Sequence, residues 1–232
     1  MTILVDIDGV LACNNVPQLL ALYVKSLKLP ISDEQLAQVK TKEVFHLLPE
    51  VQAYIENVGL GRYQSQLARL QWHPGYVMQC LLIRGASEGV KYLAGKADEL
   101  GYCTARMISF HDEWNRDLAR ATHMWLRKQQ LPNSDQVLFC DGFKAKLMAI
   151  VTYLREHSGA HVLLIDDSAN DLLLAYTQLD VNDQHILQNG LTLVAFGYDE
   201  SVDHPVQVVP LADWTRVGDL EKEFDHALVG KE

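Results

Sequence analysis

Residues 3–12 read ILVDIDGVLA, an apolar, largely β-branched run broken at Asp6 and again at Asp8 and followed by Gly9. ILVDID has the character of a short buried strand, and Gly9 permits the tight or unusual backbone turn that ends it. A single aspartate at a strand end commonly serves a turn. Two of them, two positions apart inside an apolar run and matched later by Asp166-Asp167, point instead to chemistry at the strand's end.

Outward from this stretch the pattern changes twice. From about residue 16 to residue 83 helical periodicity dominates, as in VPQLLALYVKSL and GRYQSQLARLQW, with an N-terminal capping signature at Ser32 (SDEQ) and a proline helix start at Pro49. No strand of comparable strength interrupts it, so residues 15–84 read as an all-helical insertion. From about Gly85 onward, short apolar strands alternate with helices. LGYCTAR, DQVLFCDG, HVLLIDDS and LTLVAFGY read as strands, the last being the final one; SEGVKYLAGKA, DEWNRDLARATHMWLRKQQ, KAKLMAIVTYLREHS and NDLLLAYTQL read as helices. That alternation predicts an α/β fold, a Rossmann-like three-layer core with a parallel sheet covered on both faces, formed by residues 1–14 and 85–232. The terminal DLEKEFDHALVGKE reads as a surface helix with a frayed end.

Composition sets the outer limits. The 232 residues suffice for one sizeable core and a smaller module, and 48% hydrophobic with 22% charged residues is ordinary for a globular protein. A formal net charge of -10 disfavours non-specific binding to nucleic acid or an anionic membrane. Cys13, Cys80, Cys103 and Cys140 form no CxxC pair, so reduced, buried thiols are expected rather than a zinc site or a disulfide framework. With no signal-peptide pattern and no apolar run of roughly 18 to 20 residues, the expectation is a cytoplasmic protein without a membrane partner.

In open parallel sheets the ligand site lies beyond the carboxyl ends of the strands. The polar residues expected on that rim are Asp6, Asp8, Thr104, Asp166, Asp167 and Asp171, with Lys146 near the start of a helix. Clustered carboxylates repel one another unless a positive charge sits among them. Oxygen donors without histidine or cysteine select a hard dication, and Mg²⁺ is the common choice where a phosphate completes its shell. Lys146 then neutralises a phosphate oxygen and a carboxylate, while Thr104 donates to a second phosphate oxygen. Two alternatives stay open at this point. Lys144 stands two positions before Lys146, and Ser109 would supply the hydroxyl if ARMI were the strand.

These residues resemble the haloacid dehalogenase-like hydrolases. LVDIDGVLA is similar to that family's first motif, GYCTAR to the second, Lys146 to the third and LLIDDSANDL to the acidic fourth, in the family's order. The helical insertion falls where the family carries its C1-type cap. The resemblance implies that Asp6 is the nucleophile forming an aspartyl-phosphate and that Asp8 is the acid, then the base. It implies Mg²⁺ held by the Asp6 carboxylate, the Asp8 carbonyl and Asp167, with Asp166 or Asp171 close by. The implied activity is hydrolysis of a phosphomonoester of a small metabolite. A nucleotidase, a nucleic-acid end phosphatase and a non-catalytic binding module are the alternatives. His111 and His123 lack a partner at metal-ligand spacing, and Arg106 reads better as a salt-bridge partner than as a substrate contact. For Tyr54, Tyr63, Trp72 and Tyr76 core packing is the better reading than a pocket lining.

Overall fold

The computed structural model describes residues 1–106, 112–200 and 203–224. Its centre is a six-stranded sheet built from β1 (Thr2–Val5), β4 (Glu99–Thr104), β5 (Val137–Phe139), β6 (Val162–Asp166), β7 (Leu191–Phe196) and β8 (Gln207–Leu211). The order is β5-β4-β1-β6-β7-β8, with every neighbouring pair parallel. Val5 stands opposite Tyr102 of β4 on one side and Ile165 of β6 on the other. The strand order therefore reverses direction beside β1, and the crevice at such a switch point is where open α/β sheets place their ligands.

Side-chain alternation explains why these strands are apolar throughout. Leu163 and Ile165 of β6 join one buried cluster, with Val90 of α7 (Ala86–Ala94) and Leu118 and Trp125 of α8 (Asp112–Lys128). Val162 and Leu164 join the other, with Ile150 of α9 (Gly142–Glu156), Leu172 of α10 (Ala169–Tyr176) and Leu187 of α11 (Val181–Gly190). Both faces of the sheet are covered, so no polar face is needed.

The helical segment comprises α1 (Val16–Leu27), α2 (Asp33–Gln38), α3 (Lys42–His46), α4 (Pro49–Val58), α5 (Leu60–Gln71) and α6 (Pro74–Val77). Ser32 and Gln35 form the expected capping box, and Pro49 opens α4. Its own interior is aromatic: Tyr23 and Phe45 lie with ring centroids 5.9 Å apart, and Tyr63 is buried nearby. A two-stranded antiparallel ribbon of β2 (Ala12–Cys13) and β3 (Leu81–Leu82) joins the segment to the sheet, with Cys13 opposite Leu81. Trp125 of α8 donates its Nε1–H to the carbonyl of Cys80 at 3.0 Å and fixes the ribbon's exit.

Three expectations are corrected. β3 interrupts the stretch read as helical throughout. LTLVAFGY is not the final strand, because β8 follows it at the sheet edge. The stretch read as a surface helix is helical at residues 221–224, with Glu221 and Lys222 exposed; just before it a 3-10 turn (Trp214–Leu220) buries Trp214 and Leu220, and Trp214 Nε1 donates to the Val10 carbonyl at 2.7 Å. Residues 225–232 lie outside the described residues. Cys13 is exposed, whereas Cys80, Cys103 and Cys140 are buried and unpaired, as expected. No helix among the described residues is long and apolar enough to cross a membrane.

Candidate active site

Asp6 follows β1 directly, its amide donating to the Ile165 carbonyl at 2.8 Å, so the residue is held between two neighbouring strands at their carboxyl ends. Its Oδ1 accepts from Lys146 Nζ at 2.8 Å, and the same ammonium donates to Asp166 Oδ2 at 2.6 Å. Asp166 is the last residue of β6, and its Oδ1 accepts from the Ser168 amide at 2.9 Å. Asp167 accepts from the Ser168 hydroxyl at 3.3 Å. Carboxylate oxygens of Asp6, Asp166 and Asp167 all lie within 4.8 Å of one another.

Local backbone geometry makes this cluster possible. Gly9 adopts φ 76°, and a Cβ there would lie 1.8 Å from Asp167 Oδ2. Any side chain at position 9 would displace that carboxylate, so glycine is required by the conformation and by the close approach. Lys146 shares its helix face with buried Leu147, Ile150 and Leu154, whereas Lys144, two positions earlier, is turned outward and exposed.

Charge is tightly balanced. Burial drives the Asp6 carboxyl well above the usual carboxylate range; the Asp166 charge adds to this, and Lys146 opposes it. Burial likewise raises Asp167, with Asp166 again contributing. For Lys146, burial acts downward, yet the facing Asp6 and Asp166 carboxylates outweigh it and keep the ammonium protonated. Three carboxylates around one ammonium leave an excess of negative charge that a hard cation would relieve, and the all-oxygen donor set suits such an ion.

Thr104 ends β4, is fully buried, and its Oγ1 has no hydrogen-bond partner among the described residues. Thr104 does not line the cleft that holds Asp6 and Lys146, although Ala105, the next residue, does. Asp8 sits on the turn after β1, and both its oxygens are held by Arg106, with Nε to Oδ2 and Nη2 to Oδ1 each at 2.7 Å. Asp171 lies exposed in the first turn of α10, apart from the acidic cluster. Ser109 and His111 lie outside the described residues. His123 is engaged elsewhere, with its Nδ1 on the Ser134 carbonyl at 2.8 Å.

Asp6, Asp8, Lys146 and Asp167 face a common cleft of about 360 Å³. Other residues on its wall were not singled out by sequence: Cys13 and Asn14 from the ribbon side, Gln71 from α5, Cys80, and Phe143 from α9. Trp72, read as core packing, lines this cleft as well, whereas Tyr63 and Tyr76 are buried as expected. Periodicity had no means of separating a residue at a helix end that faces the interior of its own segment from one that faces the rim.

No protein-family model and no curated protein sequence matches the chain. Solved structures do match over nearly the whole length. A haloacid dehalogenase-like hydrolase from Burkholderia xenovorans LB400 is 15% identical, with 96% of this chain and 97% of that chain covered and a TM-score of 0.52. A protein assigned as a beta-phosphoglucomutase from Thermotoga maritima is 14% identical, with 96% and 98% covered and a TM-score of 0.51. A hydrolase of the same family from Deinococcus radiodurans R1, solved with bound phosphate and sodium, is 14% identical, with 96% of each chain covered and a TM-score of 0.50. The parallel sheet with its reversal beside β1, and these matches along almost the full length, give the chain the haloacid dehalogenase-like hydrolase fold.

Proposed function

We propose that the chain is a Mg²⁺-dependent phosphohydrolase that cleaves the phosphomonoester of a small metabolite through an aspartyl-phosphate. The observation that carries this reading is the cluster of buried Asp6 and Asp166 with exposed Asp167, neutralised in part by Lys146 at the carboxyl ends of β1 and β6. Thr104, expected from sequence to donate to the phosphoryl group, is fully buried and adjoins the cleft only through its chain neighbour Ala105. Residues 15–84 act in this reading as the cap over a core of residues 1–14 and 85–232, and the unpaired thiols suit the reducing cytoplasm.

Asp6, Asp166 or Asp167 and the Asp8 carbonyl would hold the ion, which when bound offsets the charge of the carboxylates and of the phosphoryl oxygens. Asp6 attacks phosphorus; the bond from phosphorus to the leaving oxygen breaks, and Asp8 supplies that oxygen with a proton. Asp8 then takes a proton from water, whose oxygen attacks phosphorus and releases Asp6. Lys146 favours the ionised form of Asp6 against burial and donates to its Oδ1.

Lys146 is the one cation among the described residues lining the cleft, and Asn14, Gln71, Trp72 and Phe143 supply neutral surface. Such a lining suits an uncharged leaving group, with the phosphoryl group as the substrate's one anion. The ring-bearing walls Trp72 and Phe143 keep a mononucleotide as the second reading, with the carboxamides meeting a base edge. Release of p-nitrophenol from p-nitrophenyl phosphate, with Mg²⁺ and with EDTA, tests the mechanism. Activity that survives EDTA, or full activity in Asp6→Asn, would overturn it. A panel of sugar, polyol and nucleoside monophosphates separates the two substrate readings.

A further inference from the structure

Arg106 has a place that the proposed chemistry does not yet use. Its side chain is 1% exposed, whereas the Asp8 carboxylate it grips is 45% exposed and lines the cleft. The third guanidinium nitrogen, Nη1, donates to Thr122 Oγ1 at 3.0 Å, and that hydroxyl donates on to the Leu118 carbonyl at 2.9 Å. Thr122 is fully buried on α8. The chain of contacts therefore runs from a rigid helix, through a planar cation, to both oxygens of a carboxylate in the cleft.

We infer that Arg106 is the positioning residue for Asp8, fixing the plane and direction of its carboxylate for proton exchange; this rests on the phosphohydrolase reading. A planar fork bound to both oxygens sets the orientation of the group, which one point charge would not do. Each carboxylate oxygen has a second lone-pair site, so the side turned away from Arg106 stays free for the leaving oxygen and for water. Burial of the guanidinium makes the arrangement stiff, because leaving the carboxylate would strand a desolvated charge. A contact that served stability alone would have no reason to end on a half-exposed carboxylate in the reaction cleft.

The experiment compares two esters. The p-nitrophenolate group leaves without a proton, whereas the alkoxide of β-glycerophosphate needs one, so misplacing Asp8 harms the second far more than the first. Single-turnover formation of the Asp6 phosphoenzyme, read by rapid quench, isolates the step. For Arg106→Lys we expect phosphorylation by β-glycerophosphate to fall about 100-fold, the size of a general-acid contribution, and that by p-nitrophenyl phosphate to change less than about threefold. KM should stay within about twofold, since Arg106 does not touch substrate. In an Asp8→Asn background, Arg106→Lys should have no further effect, because both substitutions act through one group. Thr122→Val keeps the shape and removes the anchor, and a loss of about threefold or more with the same ester selectivity is expected; it carries the test if Arg106→Lys fails to fold. Equal losses with both esters, an undiminished loss in the Asp8→Asn background, or a raised KM with kcat intact would each overturn the role of Arg106 alone. A wild-type protein inactive on both esters with Mg²⁺ present would overturn the phosphohydrolase reading and this role with it.

Discussion

Lys146 donates to Asp6 and Asp166 from a position that is 1% exposed, so both carboxylates depend on it for their nearest positive charge. Removing one member of a buried ionic group leaves the others uncompensated, a loss of about 3 to 5 kcal/mol. Lys146→Met should therefore lose about that much stability in urea unfolding at neutral pH and fall at least about 100-fold in phosphatase turnover. Exposed Lys144 offers the control, and Lys144→Met should stay within about 0.5 kcal/mol of the wild type. The two raised carboxyls, Asp6 and Asp167, set the pH dependence. A carboxyl whose folded-state pKa is raised contributes stability that is full below its unfolded value, about 4, and lost as pH climbs through the folded value. Metal-free protein thus carries a growing penalty toward neutral pH, and a dication that binds the ionised cluster removes it. The rise in Tm on adding Mg²⁺ should be larger at about pH 7.5 than at about pH 5. Equal gains at the two pH values would show that the ion binds elsewhere.

Among the elements, those with strong apolar runs were legible and those held by tertiary context were not. β1, β4, β6 and β7 announce themselves because both faces of each are buried. β8 carries Pro210 in QVVPL, and a proline argues against a strand unless the strand lies at an edge; β8 is the edge, paired on one side with β7. β3 has two residues, too few for any periodicity. α11 reads VNDQHILQNG, in which the apolar positions are too sparse to mark a face. The C-terminal turn has its own tertiary cause. Gly89 leaves room on α7 for the Trp214 ring, and a Cβ there would lie 2.2 Å from Trp214 Cε3. Since Trp214 also holds the Val10 carbonyl, the turn supports the loop that follows Asp8. Gly89→Ala should force the ring aside and cost about 1 to 3 kcal/mol in urea unfolding, despite the better helix propensity of alanine. A stability gain would mean that the ring moves freely and that Val10 is held by other contacts.

Across the whole molecule, the sheet gathers the acidic groups of the proposed chemistry, while Gln71 and Trp72 of the helical segment add neutral surface to the cleft. Asp6, Asp166 and Asp167 come from neighbouring strands at the switch point, which is why their grouping was readable from strand ends alone. Arg106 was legible as a salt-bridge partner but its partnership with Asp8 was not, because both residues lie beyond their strands' ends, where strand patterning no longer fixes side-chain direction. Nor was the turning of Trp72 toward the cleft, since a helix end faces whichever neighbour the segment's docking provides. Trp72 and Gln71 belong to the helical segment, whereas Phe143 and Lys146 belong to the sheet's side of the cleft. The two jobs should separate in the protein's kinetics. Trp72→Ala removes ring surface from the leaving-group side without touching the acidic cluster. KM for the best natural-type ester should rise about tenfold, roughly the loss of one well-packed aromatic contact, with kcat for p-nitrophenyl phosphate within about threefold. The rise in Tm given by Mg²⁺ should be unchanged, because the proposed ligands lie on the strand ends. A Trp72→Ala protein whose kcat collapses on every ester while KM holds would instead place the helical segment in the chemical step.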